Sequence, residues 1–172
     1  MSVRRCHTGE LSPRDLAESR ELCAGSFRDF TDADWSHALG GTHALVHEDG
    51  RLVAHGSLVL RRLMVDGRWL RCGYVEAVAV ADDVRRRGRG SAVMESLEEL
   101  APGYDLLALS ASDAGAPFYE ARGWDRWRGP SSVATTVGVV PTPDDDGAIY
   151  ARGERLDLDA PITCDWREGD VW

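Results

Sequence analysis

Val75-Glu76-Ala77-Val78-Ala79-Val80 is an apolar stretch carrying one carboxylate. After four more residues comes Arg85-Arg86-Arg87-Gly88-Arg89-Gly90, and directly after that a helical pattern. The first stretch reads as a largely buried strand. The second is a basic turn whose two glycines permit close backbone approach or positive φ. From Gly90 to Leu100, Val93, Met94, Leu97 and Leu100 fall on one side of a helix, with Glu95, Glu98 and Glu99 on the other. A strand that opens through glycines into a helix N-terminus presents unpaired N–H groups and about half a positive charge, which suits a diphosphate. Arg85, Arg86, Arg87 and Arg89 add charge, and Ser91 begins the helical face. A Rossmann turn needs a third glycine where Val93 stands, and a phosphate loop needs the Gly-Lys-Ser/Thr that is missing here. The six residues Arg85–Gly90 alone fit a basic solvated turn equally well.

Outward from this unit the chain alternates strands and turns. Upstream, His43–Glu48 and Leu52–Val65 are strand-like and flank Asp49-Gly50; Asp66-Gly67 then precedes Trp69–Ala81, so the centre reads as an antiparallel meander. Nearer the start, Val3–Thr8 predicts a strand, and Ser12-Pro13 predicts a helix start with Leu16, Arg20 and Cys23 on one ridge. Thr31 is placed to cap a second short helix after the acidic loop around Asp29 and Asp34. Downstream, Tyr104–Ser110 reads as a buried strand and Pro117–Arg122 as a short helix stopped by Gly123. Strands on both sides of a strand–helix–strand unit predict the α+β class.

The chain has 172 residues, with 29 acidic residues against 20 basic ones, for a net charge of −9. That length predicts one domain over residues 1–172. Every basic residue is arginine, and Asn and Gln are absent, a pattern that fits GC-rich coding and excludes Schiff-base lysine chemistry. The acidic balance argues against a nucleic-acid partner and favours a small cationic one. No apolar run reaches the ~20 residues of a membrane helix, and no secretory signal is readable, so a cytoplasmic protein is expected. Cys6, Cys23, Cys72 and Cys164 form no C-x-x-C pair and are expected to be free, mostly buried thiols. His43, His47 and His55 read as satisfied structural histidines, and no metal site is expected.

The pattern Arg-x-x-Gly-x-Gly after a strand resembles the coenzyme A loop of the GCN5-related N-acetyltransferases. Ala116-Pro117-Phe118-Tyr119-Glu120-Ala121-Arg122-Gly123-Trp124 resembles that family's second fingerprint, with a Tyr on a short helix ahead of Gly-aromatic. The resemblance implies a mixed, mostly antiparallel central sheet flanked by helices, with acetyl-CoA inserted where two strands splay. It implies that Val78, Ala79 and Val80 face the coenzyme arm, with the Val78 N–H polarising the thioester carbonyl. Strand alternation puts Glu76, Val78 and Val80 on one face and Ala77 and Ala79 on the other, aiming Glu76 at the same cleft. Glu76 is then the candidate general base, acting through water, and Tyr119 the candidate general acid. A salt bridge to arginine and core packing are their respective structural alternatives.

From about Phe27 onward the sequence is similar to the aminoglycoside 2′-N-acetyltransferases. The matching residues are Phe30-Thr31-x-x-Asp34-Trp35, Leu39-Gly40-Gly41-x-His43-Ala44-Leu45, Leu70-Arg71-Cys72-Gly73-Tyr74-Val75-Glu76-x-Val78-Ala79-Val80, Leu109-Ser110, Tyr119-x-x-Arg122-Gly123-Trp124, Thr142–Gly147 and Cys164-Asp165-Trp166-Arg167-x-Gly169-Asp170-Val171-Trp172. This resemblance implies acetyl transfer to a 2′-amine and a homodimer. It further implies drug contacts from Asp29, Asp34, Glu76, Ser110, Asp145, Asp170 and Trp172, the last through its carboxylate. A narrower amine such as kasugamycin or another amino sugar, and a non-catalytic acyl-CoA-binding protein, stand as alternatives. Intact Glu76 and Tyr119 disfavour the second of these.

Overall fold

Two Asp-Gly pairs fix the centre of the fold. Asp49 and Gly50 lie at φ +50° and +78°, and Asp66 and Gly67 at +48° and +72°. Left-handed backbone at both central residues is the turn geometry whose twist matches that of paired strands. These turns join β2 (Thr42–Glu48) to β3 (Arg51–Val65) and β3 to β4 (Arg68–Val80). The computed structural model describes residues 2–172, which divide into two compact units: residues up to 59 with 75–100, and residues 60–74 with 101–172. Strands β3 and β4 each contribute residues to both.

In the first unit, β1 (Val3–His7) lies antiparallel to β2, which lies antiparallel to β3 with an irregularity at Val46–His47. Helix α1 (Pro13–Ser26) starts where Ser12 and Asp15 form a capping box with Pro in the first turn. Thr31 and Asp34 make the same box at α2 (Asp32–His37), as the Thr31 cap predicted. Helix α3 (Arg89–Glu98) buries Val93, Met94 and Leu97, the expected apolar face. It stops two residues short of Leu100, and a short 3-10 turn over Ala101–Gly103 follows. A Cβ on Gly56 would meet Val93 Cγ1 at 2.7 Å and Val78 Cγ2 at 3.3 Å, so only glycine lets α3 sit this close to β3.

In the second unit the strands are β5 (Leu106–Ser110), β6 (Asp125–Arg126), β7 (Ser131–Thr135), β8 (Gly138–Pro141), β9 (Ile149–Arg152) and β10 (Ile162–Asp165). They run in the order β6-β9-β5-β4-β3-β10-β7-β8. The β4–β5 and β10–β7 pairs are parallel, while β10–β3, β5–β9, β6–β9 and β7–β8 are antiparallel, giving the mixed, mostly antiparallel pattern expected. The parallel β4–β5 ladder spans only Cys72–Tyr74 opposite Leu106–Ala108. Strand β5 begins two residues later than predicted because the Tyr104 N–H turns back to Ala101 O and its ring lies over Gly73. Helix α4 (Ala116–Glu120) ends through Gly123 at φ +80°, and the Trp124 N–H closes on Tyr119 O at 3.1 Å. That is the six-to-one bond of a glycine-terminated helix.

All four cysteines are free thiols, and Cys23, Cys72 and Cys164 are buried. Among the described residues no helix is long and apolar enough to cross a membrane.

His43 and His55 are fully buried in the first unit and hydrogen-bonded to each other, Nδ1 to Nε2, at 2.9 Å. Burial holds both imidazoles neutral, down to about 4 from an ordinary 6.5, and for His43 the neighbouring His55 adds to the effect. The unfolded chain therefore binds more protons than the fold between about pH 4 and pH 6.5. The pair's contribution is complete above pH 6.5 and lost as pH falls toward 4. Urea midpoints should drop between pH 6.5 and about 5, before most carboxylates titrate, and a His43→Leu/His55→Leu double variant should flatten that slope.

Candidate active site

The first unit carries the basic loop expected to hold a coenzyme. Beyond Val80, a turn at Asp82–Val84 leads into Arg85–Gly90, where Arg86 (φ +59°) and Gly88 (φ +81°) are both left-handed. Gly88 is the N-cap of α3, and no side chain caps that helix. Its first helical bond runs from the Ala92 N–H to Gly88 O, so the amides of Arg89, Gly90 and Ser91 have no intrahelical acceptor. The arginines divide the work. Arg85 is braced on Asp82 at 2.8 Å and on Val80 O at 3.2 Å, and Arg89 on Glu48 at 2.6 Å, which stiffens the loop from both ends. Arg86 and Arg87 are exposed. An uncapped helix start, a side-chain-free Gly88 and two solvent-facing cations fit the diphosphate of a coenzyme.

The strand that feeds this loop departs from the sequence reading. Ala77 sits at φ +52°, a left-handed conformation that costs a non-glycine residue roughly 1–3 kcal/mol. Strict alternation fails there, so the argument that Glu76 and Val78 share a face by period two does not hold. Val78 instead turns its Cγ2 toward Gly56, beneath Val93 and Leu97 of α3. The displaced Ala77 carbonyl accepts a hydrogen bond from His55 Nδ1 at 2.9 Å and a long one from the Cys23 thiol at 3.7 Å. Burial pushes that thiol up to about 12, so Cys23 remains a donor and not a nucleophile.

Of the acidic candidates in this unit, Asp29 is exposed, beside Phe27 stacked on Phe30. Asp34 is committed locally: its Oδ2 accepts from the Thr31 N–H at 2.7 Å and from the Thr31 hydroxyl at 2.8 Å. A cap is thus its first duty, and the negative charge it brings is partly matched to the α2 dipole.

The second unit gathers three candidates. Asp145 and Asp170 are close enough that burial first, and then the Asp170 charge, raise the Asp145 carboxyl. Trp172 is buried and tied to both through neighbours. Its indole donates to the Thr142 hydroxyl at 2.9 Å, Thr142 O accepts the Asp145 N–H at 3.0 Å, and the Trp172 N–H reaches Asp170 Oδ1 at 3.3 Å. Arg167 fastens the segment, donating to Asp170 O at 2.8 Å and to the main-chain oxygen of Trp172 at 2.9 Å. Ser110 ends β5 opposite Ile149, immediately after the Thr142–Gly147 turn that carries Asp145. Arg167 and Thr142, which the sequence reading quotes only as matching residues and gives no site role, take part once the last residues fold back. Tyr119 lies on α4 with its ring edge-on to Phe118 and Trp124, at centroid distances of 5.2 and 6.2 Å. Burial pushes its hydroxyl up to about 12, so it keeps its proton at any physiological pH.

Known proteins resemble this chain in sequence and in fold. Residues 9–127 match the acetyltransferase (GNAT) domain family. Over 179 aligned residues the chain is 46% identical to an aminoglycoside 2′-N-acetyltransferase of Mycolicibacterium fortuitum, covering 99% of this chain and 92% of that one. Among solved structures, the GNAT family N-acetyltransferase YhbS of Escherichia coli, solved in complex with CoA, superposes with a TM-score of 0.63 at 17% identity, over 97% of this chain and 89% of YhbS. Eis1 of Mycobacterium abscessus gives a TM-score of 0.63 at 17% identity over 77% of this chain; there, as in a Kribbella flavida acetyltransferase, this chain spans only about a third of the other's length. At such identities the structural likeness establishes the α+β GNAT fold and nothing finer. The family match and the curated relative together establish that the chain belongs to the GNAT acetyltransferases, in the family of the aminoglycoside 2′-N-acetyltransferases.

Proposed function

We propose that this protein transfers an acetyl group from acetyl-CoA to the 2′-amine of an aminoglycoside, acting in the cytoplasm as a homodimer. The observation that carries this reading is the like-charged pair Asp145 and Asp170, in a chain 46% identical to an enzyme of that name. Burial and the neighbouring Asp170 charge raise the cost of ionising Asp145, and a bound polycation relieves it. An aminoglycoside, with several ammonium groups on a rigid frame, is such a partner, and long-range attraction to a chain of charge −9 speeds its capture.

Acetyl-CoA supplies the acetyl group as a thioester. The amides of Arg89, Gly90 and Ser91, with Arg86 and Arg87, hold its diphosphate, and Val78, Ala79 and Val80 line its arm. Glu76 takes the proton of the incoming ammonium through water, because a carboxylate is too weak a base to do so in one direct step. The Val78 N–H polarises the acceptor carbonyl. Tyr119, which never loses its own proton at neutral pH, donates to the departing sulfur. Asp29, Asp34, Ser110, Asp145, Asp170 and Trp172 bind and orient the drug.

Coenzyme A thiol release, measured with a panel of amines, tests the reaction and its position. Gentamicin and tobramycin, with 2′-amines, should be turned over, and kanamycin A and amikacin, with 2′-hydroxyls, should not. Turnover of kasugamycin alone would keep the chemistry but replace the substrate, and turnover of the 2′-hydroxyl pair would refute the position. Tyr119→Phe should lose about 10²–10⁴-fold in kcat with coenzyme affinity intact, the usual range for a proton donor; undiminished kcat removes it from that role. Asp145→Asn should raise the KM for tobramycin and weaken its salt dependence, leaving the KM for acetyl-CoA unchanged.

A further inference from the structure

The first unit holds a row of polar groups, buried at His43 and His55, that the mechanism above does not use. Its far end is anchored on backbone: the Gly40 N–H donates to the Thr8 hydroxyl at 2.9 Å. The Thr8 hydroxyl stands 2.8 Å from His43 Nε2, His43 Nδ1 is 2.9 Å from His55 Nε2, and His55 Nδ1 is 2.9 Å from Ala77 O. The chemistry of the last group fixes every proton before it. A carbonyl only accepts, so His55 carries hydrogen on Nδ1 and presents a bare Nε2. His43 must then carry its hydrogen on Nδ1 and present a bare Nε2, to which Thr8 donates. The row therefore runs one way, from Gly40 to Ala77, with no member unpaired and neither ring charged. Trp35 covers His55 at a ring distance of 6.0 Å and keeps water from competing.

What the row grips is the one left-handed residue of β4, with Glu76 before it and Val78 after it. A left-handed alanine inside a strand persists only where its surroundings over-determine it. The donors that receive its carbonyl are His55 and, at longer range, Cys23. If that carbonyl loses its donor, the peptide is free to relax to extended backbone. The phase of every residue beyond it then changes, including Val78, whose side chain lies under α3.

We propose that His55 and His43 are positioning residues for acyl transfer: through a one-way row of hydrogen bonds they hold the Ala77 peptide left-handed, and so fix the relative directions of the Glu76 carboxyl and the Val78 amide. This rests on the roles given above to Glu76 and Val78. His55 acts on the carbonyl directly. His43 acts by holding His55 in the tautomer that has a hydrogen to give.

Three variants decide it, each assayed with acetyl-CoA and tobramycin and each followed by thermal melting and coenzyme A calorimetry. His55→Leu fills the space without a donor, whereas His55→Asn puts an amide N–H near the place of Nδ1. His55→Leu should lose about 10²-fold in kcat, the scale of an ångström-sized misplacement, with the KM for tobramycin and the Kd for coenzyme A close to wild type. His43→Leu should lose less, since Ala77 keeps a donor for part of the time, and His55→Asn should recover most of the activity. Equal losses in His55→Asn and His55→Leu, or an undiminished kcat in folded His55→Leu, overturn the proposal. The ¹⁵N shifts of the imidazole rings in the wild-type protein give a readout free of turnover. Both rings should carry hydrogen on Nδ1, and a His55 protonated on Nε2 overturns the proposal even where neither leucine variant folds. A wild-type protein that acetylates none of the amines refutes the reaction assigned above, and the ring nitrogens then decide the hydrogen-bond row alone.

Discussion

A strand cannot carry a left-handed alanine unless something outside its ladder receives the carbonyl that the twist displaces. Ala77 meets that constraint with a histidine whose own ring is held by a second histidine. Much of the first unit follows from it. His43 and His55 come from β2 and β3, so the Asp49-Gly50 turn that sets the register of those strands also aligns their rings, with His43 opposite Ser57 and His55 opposite Leu45. Thr8, just beyond β1, closes the row and thereby ties the first strand to the reactive one. On the other face of β3, Gly56 leaves room for Val78 and α3. The adjacent residues His55 and Gly56 thus serve opposite faces, one gripping β4 by a hydrogen bond and the other by the absence of a side chain.

Charge is distributed by a similar division of labour. With no lysine, every cation is a planar guanidinium, suited to fixed two-point pairing. Most are spent inside the fold. Arg61, almost wholly buried, donates to the Asp165 carboxylate at 2.9 Å and to its main-chain oxygen at 2.8 Å, and Arg128 makes two bonds of 2.7 Å to Asp159. The buried pair is one whose loss of either partner would strand a charge, whereas the exposed pair contributes little. Arg86 and Arg87 face solvent on the coenzyme loop, and Asp145 and Asp170 repel one another. The two places are of opposite sign, as the anionic coenzyme and cationic amine proposed above require.

The legible parts were those governed by local chemistry. Asp-Gly turns, the Ser12 and Thr31 caps, the apolar side of α3 and the Gly123 stop all depend on residues within a few positions, and all stand where their spacing puts them. The glycine-rich start of α3 belongs with them, since two glycines and a helix start are a local signal. Ala77 was illegible because alanine has no preference for left-handed backbone; the distortion is imposed by a histidine 22 positions away. Period-two reasoning therefore failed at the residue where it mattered most, beside Glu76. Asp34 shows the complementary limit. Its place in a Thr-x-x-Asp box was readable, but a motif shared with a ligand-binding expectation does not reveal which duty the carboxylate performs first.

The grouping of Asp145, Asp170 and Trp172 lies beyond any local signal, since the residues are 25 and 27 positions apart along the chain. What joins them is a stack. Tyr74, buried in β4, has the Arg61 guanidinium 4.8 Å and the Arg167 guanidinium 5.5 Å from its ring centre. Asp165 anchors Arg61, so the first cation is fixed by the same residue from which the last segment departs. Arg167, two residues later, settles over the same ring and spends its donors on Asp170 O and the main-chain oxygen of Trp172. The segment turns back with Gly169 at φ +78°, and the Trp172 indole reaches Thr142, next to the turn that bears Asp145. Arg167, stacked on Tyr74 and donating to the main-chain oxygens of Asp170 and Trp172, holds this acidic segment in place. Lysine could not do this as well. Its single ammonium lacks the flat face that stacks on Tyr74 and the fork that holds two carbonyls at once.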